Sequence, residues 1–209
     1  MQLKAKELSK AYEGRPVLAG VSFSLAAGER ALLLGPSGSG KSTLLNLLCG
    51  LQRADSGQVM LGDAPIDDGV RRRHFGIVFQ SLRLISALTL RANLALAQKL
   101  QTGGSDLVRI NTLLERLGIA HRAHARPHEL SQGEAQRAAI ARAAVVRPAV
   151  LVADEPTSAL DAANAAAVAA LLGEMAEEAG AALLVATHDD RLRPHFTRTL
   201  TLAEGRLTP

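Results

Sequence analysis

Residues 31–43 read ALLLGPSGSGKST, an apolar run followed directly by a glycine-rich loop and the start of a helical pattern. The loop satisfies the pattern G-x-x-x-x-G-K-[ST]. Glycines let a backbone close around a phosphate, and N–H groups at a helix start point toward the anion. The pattern alone would arise by chance in roughly one chain in a hundred or fewer. A chance match that also follows an apolar strand would be rarer still. The stretch predicts a nucleotide-binding loop made of Gly35, Pro36, Ser37, Gly38, Ser39, Gly40, Lys41, Ser42 and Thr43.

A second apolar run, LVADE at residues 151–155, ends in two carboxylates. Beside the loop, Lys41 would bridge the β- and γ-phosphates of ATP and Ser42 would offer its hydroxyl to Mg²⁺. Asp154 would hold Mg²⁺ through water, and Glu155 would polarise the attacking water as general base. Adjacent side chains on an extended segment point opposite ways, so the two carboxylates can serve the metal and the water separately. An acidic strand end alone is common; its pairing with the loop favours ATP and Mg²⁺.

Residues 130–134 read LSQGE and continue into the helical pattern AQRAAIARA. A Ser-Gln-Gly turn at a helix start presents a hydroxyl and free backbone N–H groups to an anion. Ser131, Gln132 and Gly133 therefore form a second candidate phosphate site. Two anion sites with a single acidic strand end suggest a nucleotide held between two copies of the chain.

The rest of the chain alternates strand-like and helical patterns, which predicts the parallel α/β class. Two strand-like segments at 3–12 and 16–25 open the chain. Short apolar runs typical of buried parallel strands occupy 31–34, 76–79, 150–153 and 182–186, helical patterns occupy 41–48 and 162–178, and a hairpin is expected around Glu204-Gly205.

Between residues 81 and 147, Leu and Ala recur at helical spacing, interrupted by glycines and a proline. This pattern predicts a helical subdomain inserted into the α/β core. The expected organisation is one domain over 1–209, with its core in 1–80 and 148–209 and the insertion in about 81–147.

The composition is that of a soluble globular protein, with 47% hydrophobic and 21% charged residues. Aromatic residues make up only 2%, which argues against a binder of single-stranded nucleic acid. The net charge of +4 fits a solvated arginine-rich surface or an attraction to anionic lipid headgroups. The lone Cys49 excludes an internal disulfide and is expected to be a buried thiol. We expect a cytoplasmic protein, since neither a signal peptide nor an 18-residue apolar stretch is recognisable.

Together these motifs resemble the ATP-binding subunit of ABC transporters, and the resemblance covers almost the whole chain. It implies a P-loop NTPase (RecA-like) core with an N-terminal antiparallel β region, and ATP hydrolysis as the activity. It also implies that Tyr12 stacks on adenine, that Gln80 contacts Mg²⁺ or the attacking water, and that His188 in VATHD is the switch histidine. Residues 158–161, SALD, match the loop through which two subunits communicate, which adds Asp161 to the expected nucleotide site.

The run VFQSLRLISALTLRANLALA at residues 78–97 resembles the branch of the family that contains LolD, MacB and FtsE subunits. This resemblance implies a homodimer around two ATP, with Ser131 of one chain facing Lys41 of the other. It further implies a membrane-embedded permease docked around Gln80–Leu100, a position on the inner face of the cytoplasmic membrane, and no nucleic-acid partner. Export or lipoprotein release is the implied work. A cell-division type of subunit, which regulates a membrane complex without moving cargo, is the alternative.

The loop at 130–134 departs from the family pattern LSGGQ at two positions, where Gln132 and Glu134 replace a glycine and the terminal glutamine. Because the phosphate donors at a helix start are mainly backbone N–H groups, contact with the γ-phosphate is expected to survive. Glu134 also follows Ser131 by three residues, the spacing of a capping box. The departures are expected to alter affinity or rate more than mechanism.

Three further clusters have simpler interpretations than a functional site. His121, His124 and His128 could bind zinc, but a solvated polar face is favoured. The basic run Arg71–His74 could touch nucleic acid or lipid, and a loop of solvated charges is the expected structure. Asp189-Asp190 could be catalytic or could begin a helix.

Overall fold

Two β-sheets and the helices packed on them make up the fold in the computed structural model, which describes residues 1–158 and 160–208. The strands are β1 (Leu3–Tyr12), β2 (Arg15–Leu25), β3 (Arg30–Leu34), β4 (Ser56–Leu61), β5 (Ala64–Pro65), β6 (Phe75–Val78), β7 (Val150–Asp154), β8 (Ala182–Thr187), β9 (Arg198–Ala203) and β10 (Arg206–Thr208). The α-helices are α1 (Lys41–Leu48), α2 (Asp68–His74), α3 (Leu90–Thr102), α4 (Leu107–Arg116), α5 (Gln132–Ala144) and α6 (Ala162–Ala179). Short 3-10 helices cover Ala120–Arg122, Pro127–Glu129 and Asp190–His195.

The larger sheet has the strand order β10-β9-β3-β8-β7-β6, in which all neighbours are parallel except the β9–β10 hairpin. Its central strands are buried on both faces, which is why they read as continuous apolar runs. Leu34 of β3 lies opposite Thr187 of β8, and Asp154 of β7 lies opposite Ala186. The carboxyl ends of β3, β7 and β8 therefore meet at one edge of the sheet.

The smaller sheet is antiparallel, with the order β2-β1-β4-β5, and comes largely from the N-terminal segment. Its buried residues Leu3, Leu8 and Val21 share one hydrophobic cluster with Leu44 and Leu48 of helix α1. The α/β class with an N-terminal antiparallel β region is thus confirmed.

Helices α3, α4 and α5 lie between β6 and β7 in the chain, in agreement with the predicted helical insertion. Thr89 and Asp106 cap α3 and α4 by accepting hydrogen bonds from the N–H groups of Ala92 and Arg109. These helices join the hydrophobic cluster that covers the other face of the larger sheet. The boundaries of a separate subdomain at 81 and 147 stay a prediction.

Residues 71–74 are helical, so the prediction of a loop there is wrong, although Arg72 and Arg73 are exposed, as expected for solvated charges. Asp67 starts helix α2 by accepting a hydrogen bond from the N–H of Val70 at 2.6 Å. Asp68 then pairs with Arg71 at 2.8 Å, and the guanidinium of Arg71 also donates to the carbonyl of Gly50. An N-cap and an ion pair one turn apart are enough to favour a short helix here.

The expected burial of the lone cysteine has a direct structural counterpart. Cys49 is buried, which confirms the expectation, and burial raises the pKa of its thiol to about 12. Over residues 1–158 and 160–208, no helix combines the length and the apolar character that a membrane crossing requires.

Gly76 of β6 provides a test of how closely the larger sheet packs on α5. A Cβ at this position would overlap the carbonyl oxygen of Ala143 and lie 2.9 Å from Pro148. We expect Gly76→Ala to lower the free energy of unfolding by about 1–3 kcal/mol, measured by urea titration. Gly104→Ala is the matched control, because a Cβ there would meet nothing within 4 Å. Equal stability of the two variants would contradict the packing described here.

Candidate functional site

The edge where β3, β7 and β8 end opens into a cavity of about 670 Å³. It brings together the glycine-rich loop and three predicted catalytic side chains from separate parts of the chain. The lining consists of Val17, Pro36, Ser37, Gly38, Gly40, Lys41, Ser42, Thr43, Gln80, Glu155, Ser158 and His188.

The glycine-rich loop fits its place only because two of its positions lack a side chain. A Cβ on Gly35 would overlap the carbonyl oxygen of Leu202 on β9. Gly40 has a φ of +100° and caps helix α1, and a Cβ there would lie 3.0 Å from the carbonyl oxygen of Val17. The loop therefore packs closely against strands β2 and β9, and the N-terminus of α1 faces the cavity.

Lys41 places a nearly buried positive charge, 6% exposed, at the centre of the loop. Its Nζ donates to the carbonyl oxygens of Gly35 at 2.8 Å and Pro36 at 3.1 Å. The same Nζ lies 3.4 Å from Oε1 of Glu155. A buried ammonium needs such partners. The result is a fixed cation between the loop and the acidic strand end.

Glu155 follows strand β7 with a φ of +45°, an uncommon conformation for a residue with a side chain. Its N–H donates to the carbonyl of Ala186 at 2.8 Å, which ties the turn to β8. Oε2 accepts a hydrogen bond from the hydroxyl of Thr187 at 3.0 Å and lies 3.0 Å from Nδ1 of His188. The carboxyl group is thus held from two sides and faces the cavity.

Thr187 is a site residue that the sequence analysis did not single out. Its side chain is fully buried at the end of β8, and its Oγ1 accepts a hydrogen bond from the N–H of Asp189 at 3.1 Å while donating to Glu155. The signal for Thr187 in the sequence was a polar residue at the end of an otherwise apolar strand, directly before His188.

Asp154 lies beside the cavity, at the end of β7, and its Oδ1 is buried with no hydrogen-bond partner. Burial raises the pKa of its carboxyl group; hydrogen bonding by Ser42 lowers it in part, and the charge of Glu155 raises it further. An unpaired buried oxygen near a hydroxyl is a suitable place for a cation. Carboxylate, hydroxyl and amide oxygens, the last from Gln80, are ligands that Mg²⁺ prefers.

The second predicted phosphate site lies away from this cavity. Ser131 caps helix α5: its Oγ accepts from the N–H of Glu134 at 3.3 Å, and Oε2 of Glu134 accepts from the N–H of Ser131 at 2.8 Å. This confirms the capping box. Gln132 and Gly133 line a separate cavity of about 350 Å³ together with Asp161. Within one chain, therefore, the two phosphate sites do not meet.

Two other predicted residues occupy places where their roles stay predictions. Tyr12 lies outside the cavity lining, 42% exposed, and its hydroxyl donates to Oε1 of Gln52 at 2.7 Å. Asp161 accepts a hydrogen bond from the N–H of Asn164 at 2.9 Å and so caps helix α6. Ala159, in the predicted loop SALD, lies outside the described residues.

The remaining clusters have structural roles. Within the described part of the chain, no group of three or more His, Cys, Asp or Glu side chains is arranged to hold a metal ion. His121 instead places Nε2 3.2 Å from Oε1 of Glu134. Asp189 accepts a hydrogen bond from the N–H of Arg191 at 3.0 Å, which confirms that it begins a helix.

Comparison with known proteins adds independent findings. The family model described as "ABC transporter" matches residues 18–158. The lipoprotein-releasing system ATP-binding protein LolD of Hydrogenovibrio crunogenus is 41% identical, over 97% of this chain and 94% of its own length. The dimeric structure of MJ0796, a bacterial ABC transporter cassette, matches 99% of this chain and 97% of its own with a TM-score of 0.90 and 32% identity. A second MJ0796 structure, a dimeric post-hydrolysis state bound to ADP and Pi, matches with the same values.

The hydrogen bond from Thr187 to Glu155 generates a prediction for ATP turnover. We expect Thr187→Val, which keeps the side-chain shape, to lower kcat about tenfold with little change in KM, because Glu155 loses one of the groups that hold it. Thr187→Ser keeps the hydroxyl and should retain most of the rate. The measurement is steady-state phosphate release, and equal rates for the Val and Ser variants would show that the hydroxyl has no positioning role.

Proposed function

The chain belongs to the ABC transporter family, and on that basis we propose that it binds and hydrolyses ATP to power a separate membrane subunit in export or lipoprotein release. The observation that carries the proposal is the convergence of Lys41, Glu155 and His188 on the cavity at the sheet edge. The ammonium of Lys41 lies 3.4 Å and the imidazole of His188 lies 3.0 Å from the carboxyl group of Glu155, beside a loop shaped for phosphate.

Each of these groups has a distinct part in the reaction. Lys41 attracts the β- and γ-phosphates and stabilises the charge that develops on the transferred group. Glu155 accepts a proton from water as that water attacks the γ-phosphorus, so that ADP and phosphate are the products. His188 and Thr187 hold Glu155 in place, and Gln80 reaches the same cavity.

Mg²⁺ is the cofactor that the donor set fits. Ser42, Asp154 and Gln80 would hold it, directly or through water, and the unpaired buried Oδ1 of Asp154 supports this assignment. When bound, the ion would neutralise charge on the β- and γ-phosphate oxygens.

The working unit is a homodimer with two ATP between its chains. Two observations support this: the loop at Ser131 lies apart from the cavity at Lys41 in one chain, and the two similar solved structures described above are dimeric cassettes. In the head-to-tail arrangement, Ser131, Gln132 and Gly133 of one chain would complete the phosphate site of the other. ATP would close the pair, and hydrolysis would let it reopen.

A cleft between the core and the helical region offers a place for the membrane subunit. It has a volume of about 240 Å³ and is lined by Leu51, Phe79 and Leu100, with Arg71 and Arg72 at its side. Leu100 is 64% exposed. We assign the cleft to a short permease segment with apolar and acidic side chains, which would place the chain on the inner face of the cytoplasmic membrane. The likeness to LolD supports lipoprotein release as the work of the complex.

Replacing the base tests the assigned chemistry. Glu155→Gln should lower turnover at least about a hundredfold, because an amide cannot accept the proton from water. The same variant should accumulate as an ATP-bound dimer, detected by light scattering coupled to size-exclusion chromatography. Unchanged turnover would reject Glu155 as the base.

The docking cleft generates a separate prediction. Leu100→Asp should prevent co-purification of the permease from detergent-solubilised membranes, since it puts a charge into the apolar cleft, while ATP hydrolysis by the isolated chain stays intact. Val108→Asp is the matched control, because Val108 is 77% exposed but lies outside this cleft. Loss of the permease from both variants, or from neither, would contradict the assignment.

A further inference from the structure

The turn at Ser131 contains a carboxylate where the family pattern has a neutral amide. Glu134 is only 8% exposed and is bound to Ser131 by two hydrogen bonds of the capping box. Since Ser131 is proposed to face the γ-phosphate of the partner chain's nucleotide, the carboxylate bound to Ser131 would lie close to a highly charged anion. Left unbalanced, that charge would oppose nucleotide binding.

The structure provides the balancing charge from a separate segment of the chain. Arg122, in the short 3-10 helix Ala120–Arg122, donates from Nε to Oε1 of Glu134 at 2.8 Å. His121 places Nε2 3.2 Å from the same oxygen. The pKa of Glu134 is lowered to about 2, chiefly by the hydrogen bond from Arg122 and then by the backbone and side chain of Ser131. At neutral pH this carboxyl group is therefore negatively charged.

We propose that Arg122 is a positioning residue for the turn at Ser131. It neutralises and orients Glu134, so that this turn can accept the γ-phosphate bound by the partner's Lys41. This rests on the proposed head-to-tail dimer. Arg122 itself acts through Glu134, and the oxygen it binds is Oε1, while Oε2 keeps the hydrogen bond to the N–H of Ser131. Both carboxylate oxygens thus have a separate task.

The first test separates charge from structure with a double-mutant cycle. Arg122→Gln should raise KM for ATP about fivefold to tenfold and change kcat less than twofold, because it affects nucleotide capture and not the base. Arg122→Lys should restore part of the affinity. In a Glu134→Gln background, Arg122→Gln should have no further effect on KM, since no carboxylate remains to be neutralised. Arg126 is an exposed arginine of the same stretch, so Arg126→Gln is the control for loss of a surface charge.

The second test determines whether Arg122 affects the nucleotide bound by Lys41 of its own chain or the one bound by Lys41 of the other chain. One heterodimer joins a Lys41→Ala, Arg122→Gln chain to a wild-type chain, so its single competent site contains the altered turn. The other joins a Lys41→Ala chain to an Arg122→Gln chain, so its competent site contains a normal turn. Only the first should show the raised KM for ATP.

The outcomes distinguish this inference from the proposed function. An unchanged KM for Arg122→Gln, or an equal rise in the Glu134→Gln background, would overturn the role of Arg122. If Ser131→Ala homodimers lose ATP turnover in that case, the head-to-tail site survives and only the inference falls. Full activity of Ser131→Ala would instead overturn the head-to-tail site itself.

Discussion

The buried ammonium of Lys41 is the interaction on which the functional site depends. It joins the carbonyl oxygens of Gly35 and Pro36 to the carboxyl group of Glu155, and so connects the loop after β3 to the turn after β7. A charge that is 6% exposed is tolerated only with such partners, which fixes the relative position of both segments. The parallel register of the sheet makes the meeting possible, because it brings three strand ends to one edge.

The same arrangement explains why one chain holds only half of each proposed catalytic unit. The sheet edge collects the cation, the base and the imidazole, whereas the turn at Ser131 begins helix α5 beside a separate cavity. Its capping box, with Arg122 balancing Glu134, is made entirely by residues of a single chain. The proposed dimer therefore brings together the cavity at Lys41 of one chain and the turn at Ser131 of the other, each formed by its own chain.

Local patterns predicted most of the fold and the centre of the site. The glycine-rich loop, the buried strands and the capping box each depend on residues close in sequence, so their residue types and spacing are sufficient evidence. Helix α2 was missed because the basic run Arg71–His74 was interpreted as a loop of solvated charges, although Asp67 supplied a cap for these residues. Thr187 was missed because its role arises from the pairing of β7 with β8, which places it beside Glu155. The role of Tyr12 depends on where the base of a bound nucleotide lies, which neither pattern nor spacing could fix.

In the proposed dimer, ATP is hydrolysed between Lys41 of one chain and Ser131 of another. The decisive measurement is the ATP turnover of a mixture of Lys41→Ala and Ser131→Ala chains, compared with that of each variant alone. The head-to-tail dimer predicts almost no activity for either homodimer and partial recovery in the mixture, because each heterodimer regains one site with both residues intact. Full activity of the Ser131→Ala protein alone, or no recovery on mixing chains that are shown to exchange, would rule out the head-to-tail dimer.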